Sequence, residues 1–319
     1  MGVLVTGGTG LIGAALVRML IERGEENVVA FDCNTTRKIL DDVAQRVALV
    51  QGDLSIFSHV LEAVRNWRPK IIYHLGAILT VPSNADPASS FQTNVAGTFH
   101  VLEAARLFDV RQVLFASSIG SYGLDIKGEV IDDFTLQRPS SMYGVSKVFG
   151  ENLGRYYRLR YGLDFRGLRF PGIIGPGFRT PSLARYASLL IEESVKGRPL
   201  ALSVAPDVKH PLLYFKDAAL AMIKLAQVPE ADIKTVNYLL NGVEPQKTAQ
   251  DLVDMVKTRL PEARLTFEPD PAMTQVYYSM RPLDDRCARN EWGWRPEYDH
   301  ERLIDDFIAE LRQHPERYA

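Results

Sequence analysis

The chain has 319 residues, enough for one large α/β domain with an appended lobe, or for two domains. Its 46% hydrophobic and 24% charged residues and its formal net charge of -2 suit a soluble globular enzyme acting on a small-molecule substrate and give no basic field for nucleic acid. Cys33 and Cys287 form no CxxC, six scattered His show no metal-ligand spacing, and no apolar run suits a leader or a bilayer span; free thiols, no metal, no membrane partner and a cytoplasmic setting are expected.

From the N-terminus, short β-rich runs alternate with amphipathic helical stretches: VLVTG, LIGAALVRMLIERG, VVAFD, RVALVQGD, FSHVLEAVRNW and KIIYHLGA. That alternation predicts βα units feeding a parallel sheet buried on both faces. It continues through FQTNVAGTFHVLEAARLF, QVLFASSI, SSMYGVSK and DFRGLRFPGIIGP. In the first helix Leu11, Ile12, Ala15, Leu16, Met19 and Leu20 form an apolar face, and Gly24 is placed to close it. After residue 172, Gly and Pro cluster in FPGIIGPGFRTPSL and FEPDPAMTQ, marking loops around a second, interleaved lobe. The expected division is 1–172 for a Rossmann-type doubly wound sheet, rejoined by the strand and helix of about 210–228, and 173–319 mainly for a smaller α/β substrate lobe. TVNYLLNG, QKTAQDLVDMVKTRLP and RLTFEP are assigned to that lobe, and the C-terminal HERLIDDFIAELRQH reads as a docking helix.

VLVTGGTGLIG places Gly7, Gly10 and Gly13 between a strand and a helix, the context of a dinucleotide-binding turn. Glycine there permits a tight turn, brings backbone close to a pyrophosphate and lets helix and strand pack closely, while the helix N-terminus stabilises phosphate charge. Asp32, ending VVAFD 19 residues after Gly13, is placed to accept hydrogen bonds from a ribose diol. A carboxylate repels a 2′-phosphate and argues for NAD over NADP; Arg37 is the counter-evidence. Asp53, in QGDL after the third strand, either meets the adenine or is a solvated loop aspartate.

In SSMYGVSK, Tyr143 and Lys147 stand one helical turn apart, a spacing weak by itself. Oxidising an alcohol needs a base, and a phenol of pKa about 10 must fall by about 3 units, or about 4 kcal/mol, to serve near neutrality. Lys147 and an oxidised nicotinamide would both favour the phenolate. Ser118, ending the fifth strand, is placed to hydrogen-bond the substrate oxygen.

TGGTGLIG, GDL, YHLGA, Asn94 in FQTNVAGTFHVLEAA, SSIGSYG and YGVSK together resemble the extended short-chain dehydrogenase/reductases, which include the NAD-dependent epimerases and dehydratases. The resemblance implies Ser118, Tyr143 and Lys147 as the catalytic set, with Ser117 as the fallback serine. It places cofactor contacts on Gly7, Gly10, Leu11, Ile12, Gly13 and Asp32, on Asp53, Leu54, Leu75 and Ala77, and on Asn94, Tyr143, Lys147 and Pro171. It also implies a homodimer paired through TNVAGTFHVLEAARLF and YGVSKVFGENLGRYYRL.

Members acting on nucleotide-diphosphate sugars commonly carry RxxNVYGP and RDFIYVDD, where this chain has LRFPGIIGP, with Pro171 and Gly172, and HPLLYFKD, with His210. A narrower resemblance is to the short-chain type of L-threonine 3-dehydrogenase, whose HLAAILS, SSIGVFG, YGVTKVAGE, RYPGI, PMMY and WGWKPEYD correspond to HLGAILT, SSIGSYG, YGVSKVFGE, RFPGI, PLLY and WGWRPEYD. It implies substrate contacts from Thr80 and Thr180 beside Ser117, Ser118 and Tyr143. That family's GGGTTDYA and SWPxSIDD are replaced by GPGFRTPSLARY and YSMRPLDD. Arg281 could clamp a substrate carboxylate, bind phosphate, or pair with Asp284 or Asp285; Arg179 and Arg185 read as solvated. The expectation is an NAD-dependent oxidoreductase acting on a small β-hydroxy acid or amino acid. The alternatives are an NDP-sugar epimerase or dehydratase and a non-catalytic NAD-binding regulatory protein.

Overall fold

Apolar runs without alternation, such as VLV, VVAF and VLFA, suit strands covered on both faces, and the computed structural model, which describes residues 2–35, 38–177 and 182–318, buries them so. Its strands are β1 (Gly2–Thr6), β2 (Asn27–Asp32), β3 (Val47–Gln51), β4 (Ile71–His74), β5 (Gln112–Ser118), β6 (Asp164–Phe170), β7 (Gly172–Ile174), β8 (Leu200–Leu202), β9 (Leu212–Tyr214), β10 (Asn237–Leu239) and β11 (Leu265–Phe267). Seven of them form a parallel, Rossmann-type sheet in the order β10-β6-β5-β4-β1-β2-β3. The order reverses between β1 and β4, which opens a crevice at their carboxyl ends. Helices Leu11–Glu22 and Phe215–Gln227 pack together on one side, and Phe57–Trp67, Gly97–Leu107 and Met142–Tyr161 cover the other.

Two strands lie elsewhere than their sequence context suggested. HPLLY, expected to rejoin the first sheet, supplies β9, which pairs with β7 in a separate ribbon. TVNYLLNG, expected in the smaller lobe, supplies β10, the seventh strand of the main sheet. Pro171 gives the physical reason: it has no N–H to extend the β6 ladder, so the chain restarts as β7 and takes a new partner. The helix after β9 does return to the sheet, and β8 and β11 pair in the smaller lobe. Helix His300–Gln313 docks through Leu303, Ile304, Phe307, Ile308 and Leu311.

The helix Met142–Tyr161 starts where the Ser141 hydroxyl caps the N–H of Gly144 and ends at Gly162, whose φ of 70° lies in the left-handed region. Within it Gly144, Gly150 and Gly154 weaken helix propensity by roughly 1 kcal/mol each relative to Ala. Their value is proximity. Added Cβ atoms would lie 2.1 Å from the Gly120 carbonyl oxygen, 2.5 Å from the Phe115 ring and 2.2 Å from the Phe165 ring. The glycines therefore let this helix press against β5 and β6, which brings its N-terminal turns beside the end of β5.

His74, at the end of β4, is a buried tie rather than a ligand. Its Nδ1 shares a 2.7 Å hydrogen bond with Thr6 Oγ1 of β1, and its Nε2 one of 3.1 Å with Thr98 Oγ1. Burial first, and the Lys147 charge second, push its pKa down to about 3. Between the ordinary imidazole pKa and that value the unfolded chain takes up a proton that the folded chain refuses. Stability is thus complete above about pH 6.5 and falls with acidification by about 1.4 kcal/mol per pH unit from this group. Urea unfolding from pH 7 to pH 4 should give a flatter pH dependence for His74→Asn than for the wild type, and equal slopes would contradict this assignment.

Candidate active site

A cleft of about 1650 Å³ runs over the carboxyl ends of the central strands toward the smaller lobe. At one end is the glycine turn. Gly7 has φ of 68°, and a Cβ there would lie 2.8 Å from the Gly76 amide nitrogen; a Cβ at Gly13 would lie 2.1 Å from the Gly7 carbonyl oxygen. Only glycine lets β1, the turn and the helix meet this closely. The helix begins at Gly10 with no side-chain cap and no acidic residue in its first turn, so its N-terminal N–H groups suit an anion. Asp32 accepts hydrogen bonds from the backbone N–H of Thr9 and of Asn34, both at 3.1 Å, and lines the cleft. The Asp53 carboxylate accepts from the Ser55 N–H at 2.8 Å and from its hydroxyl at 2.7 Å. Leu11, Ile12, Leu54, Leu75, Ala77 and Pro171 line the same cleft. These residues fit a dinucleotide, with the pyrophosphate on the uncapped helix and the ribose diol at Asp32. Arg37 lies outside the described residues.

Asn94 stands apart from the other expected cofactor contacts. It is buried in the π-turn Phe91–Ala96 and does not line the cleft. Its amide accepts from the Ile78 N–H at 2.8 Å and donates to the Ile78 carbonyl at 2.9 Å, with Ser146 Oγ 3.3 Å away. It ties the cleft-lining segment after β4 to the helix of Tyr143.

Ser118, Tyr143 and Lys147 come together in the middle of the cleft. Ser118 Oγ accepts the Gly120 N–H at 3.0 Å, and a Cβ at Gly120 would lie 3.4 Å from Ser118 Oγ and 3.5 Å from the Tyr143 ring, so the serine and the tyrosine flank this glycine. Lys147 Nζ lies 5.2 Å from the Tyr143 ring centroid and 4.9 Å from that of Phe115. Burial dominates both ionisations. It pushes the Tyr143 phenol up to about 12, against the nearby Ser118 hydroxyl, and the Lys147 ammonium down to about 7, against the charge of Glu151. Ser117, the fallback serine, turns the other way: its hydroxyl donates to Glu151, which is also held by Arg169 and Gln137. Glu151 was legible four residues after Lys147 in YGVSKVFGE, but nothing local revealed its partners.

Thr80 and Arg281 line the cleft, and Thr180 lies outside the described residues. Among the described residues Arg281 makes no ion pair; Asp284 and Asp285 pair with Arg286 and Arg289 at 2.6 Å, and Arg281 Nε donates to the Gly128 carbonyl at 3.3 Å. Arg185, expected to be solvated, lines the cleft, as do Tyr186, His210 and Tyr277. The sequence singled out Arg185 and His210 without joining them, and no motif marked Tyr186 or Tyr277, because these positions converge from three separate stretches of chain.

A profile of the NAD dependent epimerase/dehydratase family matches residues 3–239. The mitochondrial L-threonine 3-dehydrogenase of Bos taurus is 32% identical over 312 residues, covering 96% of this chain and 81% of its own. The GalE-like L-threonine dehydrogenase from Cupriavidus necator, in its holo form, superposes with a TM-score of 0.86 at 26% identity, over 98% of this chain and 100% of that one. The UDP-glucose 4-epimerase of Thermus thermophilus, in complex with NAD, gives 0.82 at 26% identity, over 98% and 100%. With the glycine cradle and parallel sheet described above, these matches establish that the chain is an enzyme of the NAD-dependent epimerase/dehydratase family, within the extended short-chain dehydrogenase/reductases.

Proposed function

We propose that the protein oxidises the secondary alcohol of a small β-hydroxy acid or amino acid, an L-threonine-like substrate, with Tyr143 as the base. The observation that carries this reading is the placing of Ser118, Tyr143 and Lys147 side by side in the cleft that also contains the glycine cradle. The similarity to L-threonine dehydrogenases over nearly the whole chain supports the substrate class. Residues 1–172 then mainly serve the cofactor and 173–319 mainly the substrate.

In this mechanism the substrate hydroxyl sits between the Ser118 hydroxyl and the Tyr143 phenolate. Bound NAD supplies the hydride acceptor and, at the oxidised nicotinamide, a positive charge. Tyr143 takes the hydroxyl proton as the carbinol hydride leaves, and Ser118 donates a hydrogen bond to the oxygen while its charge develops. An amine near neutrality, as at Lys147, can hold the positive charge that favours the phenolate and exchange a proton with it. An internal-redox epimerase or dehydratase is the second reading, favoured by the cleft-lining Arg281, which makes no ion pair among the described residues, and by the size of the cleft.

Tyr143→Phe should lower kcat by about 10²–10⁴-fold while NAD affinity stays near the wild-type value. Absorbance at 340 nm with β-hydroxy acids and L-threonine reads the reaction. A variant of undiminished activity would refute the base, and nucleotide-sugar interconversion without net NADH would favour the second reading.

We also propose a homodimer in the cytoplasm, where the free Cys33 and Cys287 would remain reduced. Val145, Phe149, Tyr156 and Leu159 are exposed on helix Met142–Tyr161, Leu159 at 84%, with Phe91, Phe99 and Leu107 exposed on the neighbouring segment. Light scattering should give a dimer for the wild type and a monomer for Phe149→Lys/Leu159→Lys; a monomeric wild type would dismiss this interface.

A further inference from the structure

One wall of the cleft contains polar groups without partners among the described residues. Tyr186 and His210 are 6% and 3% exposed, and among the described residues neither the Tyr186 hydroxyl nor His210 Nδ1 has a hydrogen-bond partner. The Ser182 hydroxyl and Arg185 Nε are likewise buried and unsatisfied. Leaving such a group unmade costs roughly 1–3 kcal/mol, so several along one wall of a cleft point to a ligand that completes them.

The wall is built rather than incidental. Tyr277 stands edge-on to both Tyr186 and His210, with centroids 5.9 Å and 5.6 Å apart, and its own hydroxyl is used on the Leu183 carbonyl at 2.5 Å. A Cβ at Gly172 would lie 2.3 Å from His210 Nε2, so this glycine leaves that nitrogen its room. Arg185 makes no ion pair among the described residues.

We propose that Arg185, Tyr186 and His210 form a subsite for the carboxylate of a hydroxy acid. A guanidinium, a phenol and an imidazole N–H are three donors suited to a single planar anion. Burial pushes His210 down to about 4, so it meets the ligand as a neutral donor while Arg185 alone supplies charge. The Arg185 charge repels an ammonium group, so within the dehydrogenase reading, on which this inference rests, the subsite favours hydroxy acids over amino acids.

The test is NADH formation by wild type, Arg185→Gln, Tyr186→Phe and Arg281→Gln, with 3-hydroxybutyrate, its neutral amide 3-hydroxybutanamide, and L-threonine. The wild type should prefer the acid to the amide by about 100-fold in kcat/KM, and to L-threonine by about tenfold or more. Arg185→Gln should raise KM for the acid about 100-fold with kcat changed less than about threefold, leave the amide within about threefold, and so erase the discrimination. Tyr186→Phe should raise KM for the acid about tenfold. Unchanged NAD affinity, measured by titration calorimetry, certifies a folded variant, and Arg185→Lys, which keeps the charge, should recover part of the loss if the glutamine variant does not fold. Equal loss for acid and amide, discrimination erased by Arg281→Gln alone, or a wild-type preference for L-threonine would overturn the subsite. No NADH from the wild type with any of the three would instead overturn the dehydrogenase reading itself.

Discussion

The buried ion pair between Arg169 and Glu151 holds the site in register. Arg169 lies near the end of β6, Glu151 lies one turn after Lys147, and their charged groups meet at 2.7 Å with both side chains nearly inaccessible. Two ions cannot be left in an apolar interior unless their remaining hydrogen-bonding capacity is met. Here Glu151 also accepts from Ser117 and Gln137, while Arg169 donates to the Tyr122 hydroxyl and the Asp133 carbonyl, each at 2.9 Å. The network therefore fixes β5, β6, the loop after β5 and the helix of Tyr143 against one another. Asp133 extends it by accepting the Leu239 N–H of β10, so a strand from the distant half of the chain is tied to the same frame.

That frame creates a dry centre whose electrostatics are not those of its residues in water. Tyr143 and Lys147 are both driven toward their neutral forms by burial. Their mutual influence is thereby set by small additions of charge, because in a low-dielectric site one elementary charge alters both equilibria strongly. Glu151, shielded behind the lysine, moderates the loss of its positive charge, and Ser118 moderates the loss of phenolate character.

What could be read from the sequence is what short stretches specify. Gly7, Gly10, Gly13 and Asp32 belong to one βαβ unit, and Tyr143 and Lys147 to one helical turn, so local spacing located them. Asn94 was legible as a motif residue but not in its use of the Ile78 backbone, since that pairing joins segments 16 residues apart. Arg185 could not be separated from a surface arginine, because its surroundings are His210 and Tyr277, far along the chain. The exchange of β9 and β10 between sheets escaped for a related reason: both are buried strands of three residues, and a short strand carries no mark of its partner.

Pro171 separates two kinds of architectural freedom. Before it, β6 is locked into a ladder with β5 and β10; after it, β7 answers only to β9. His210, of the proposed carboxylate subsite, and its neighbour Gly172 thus stand at the mouth of a two-strand ribbon whose ladder is separate from that of the main sheet. A change of side chain on that ribbon would alter one wall of the cleft and leave the ladders behind Ser118 and the glycine turn as they are.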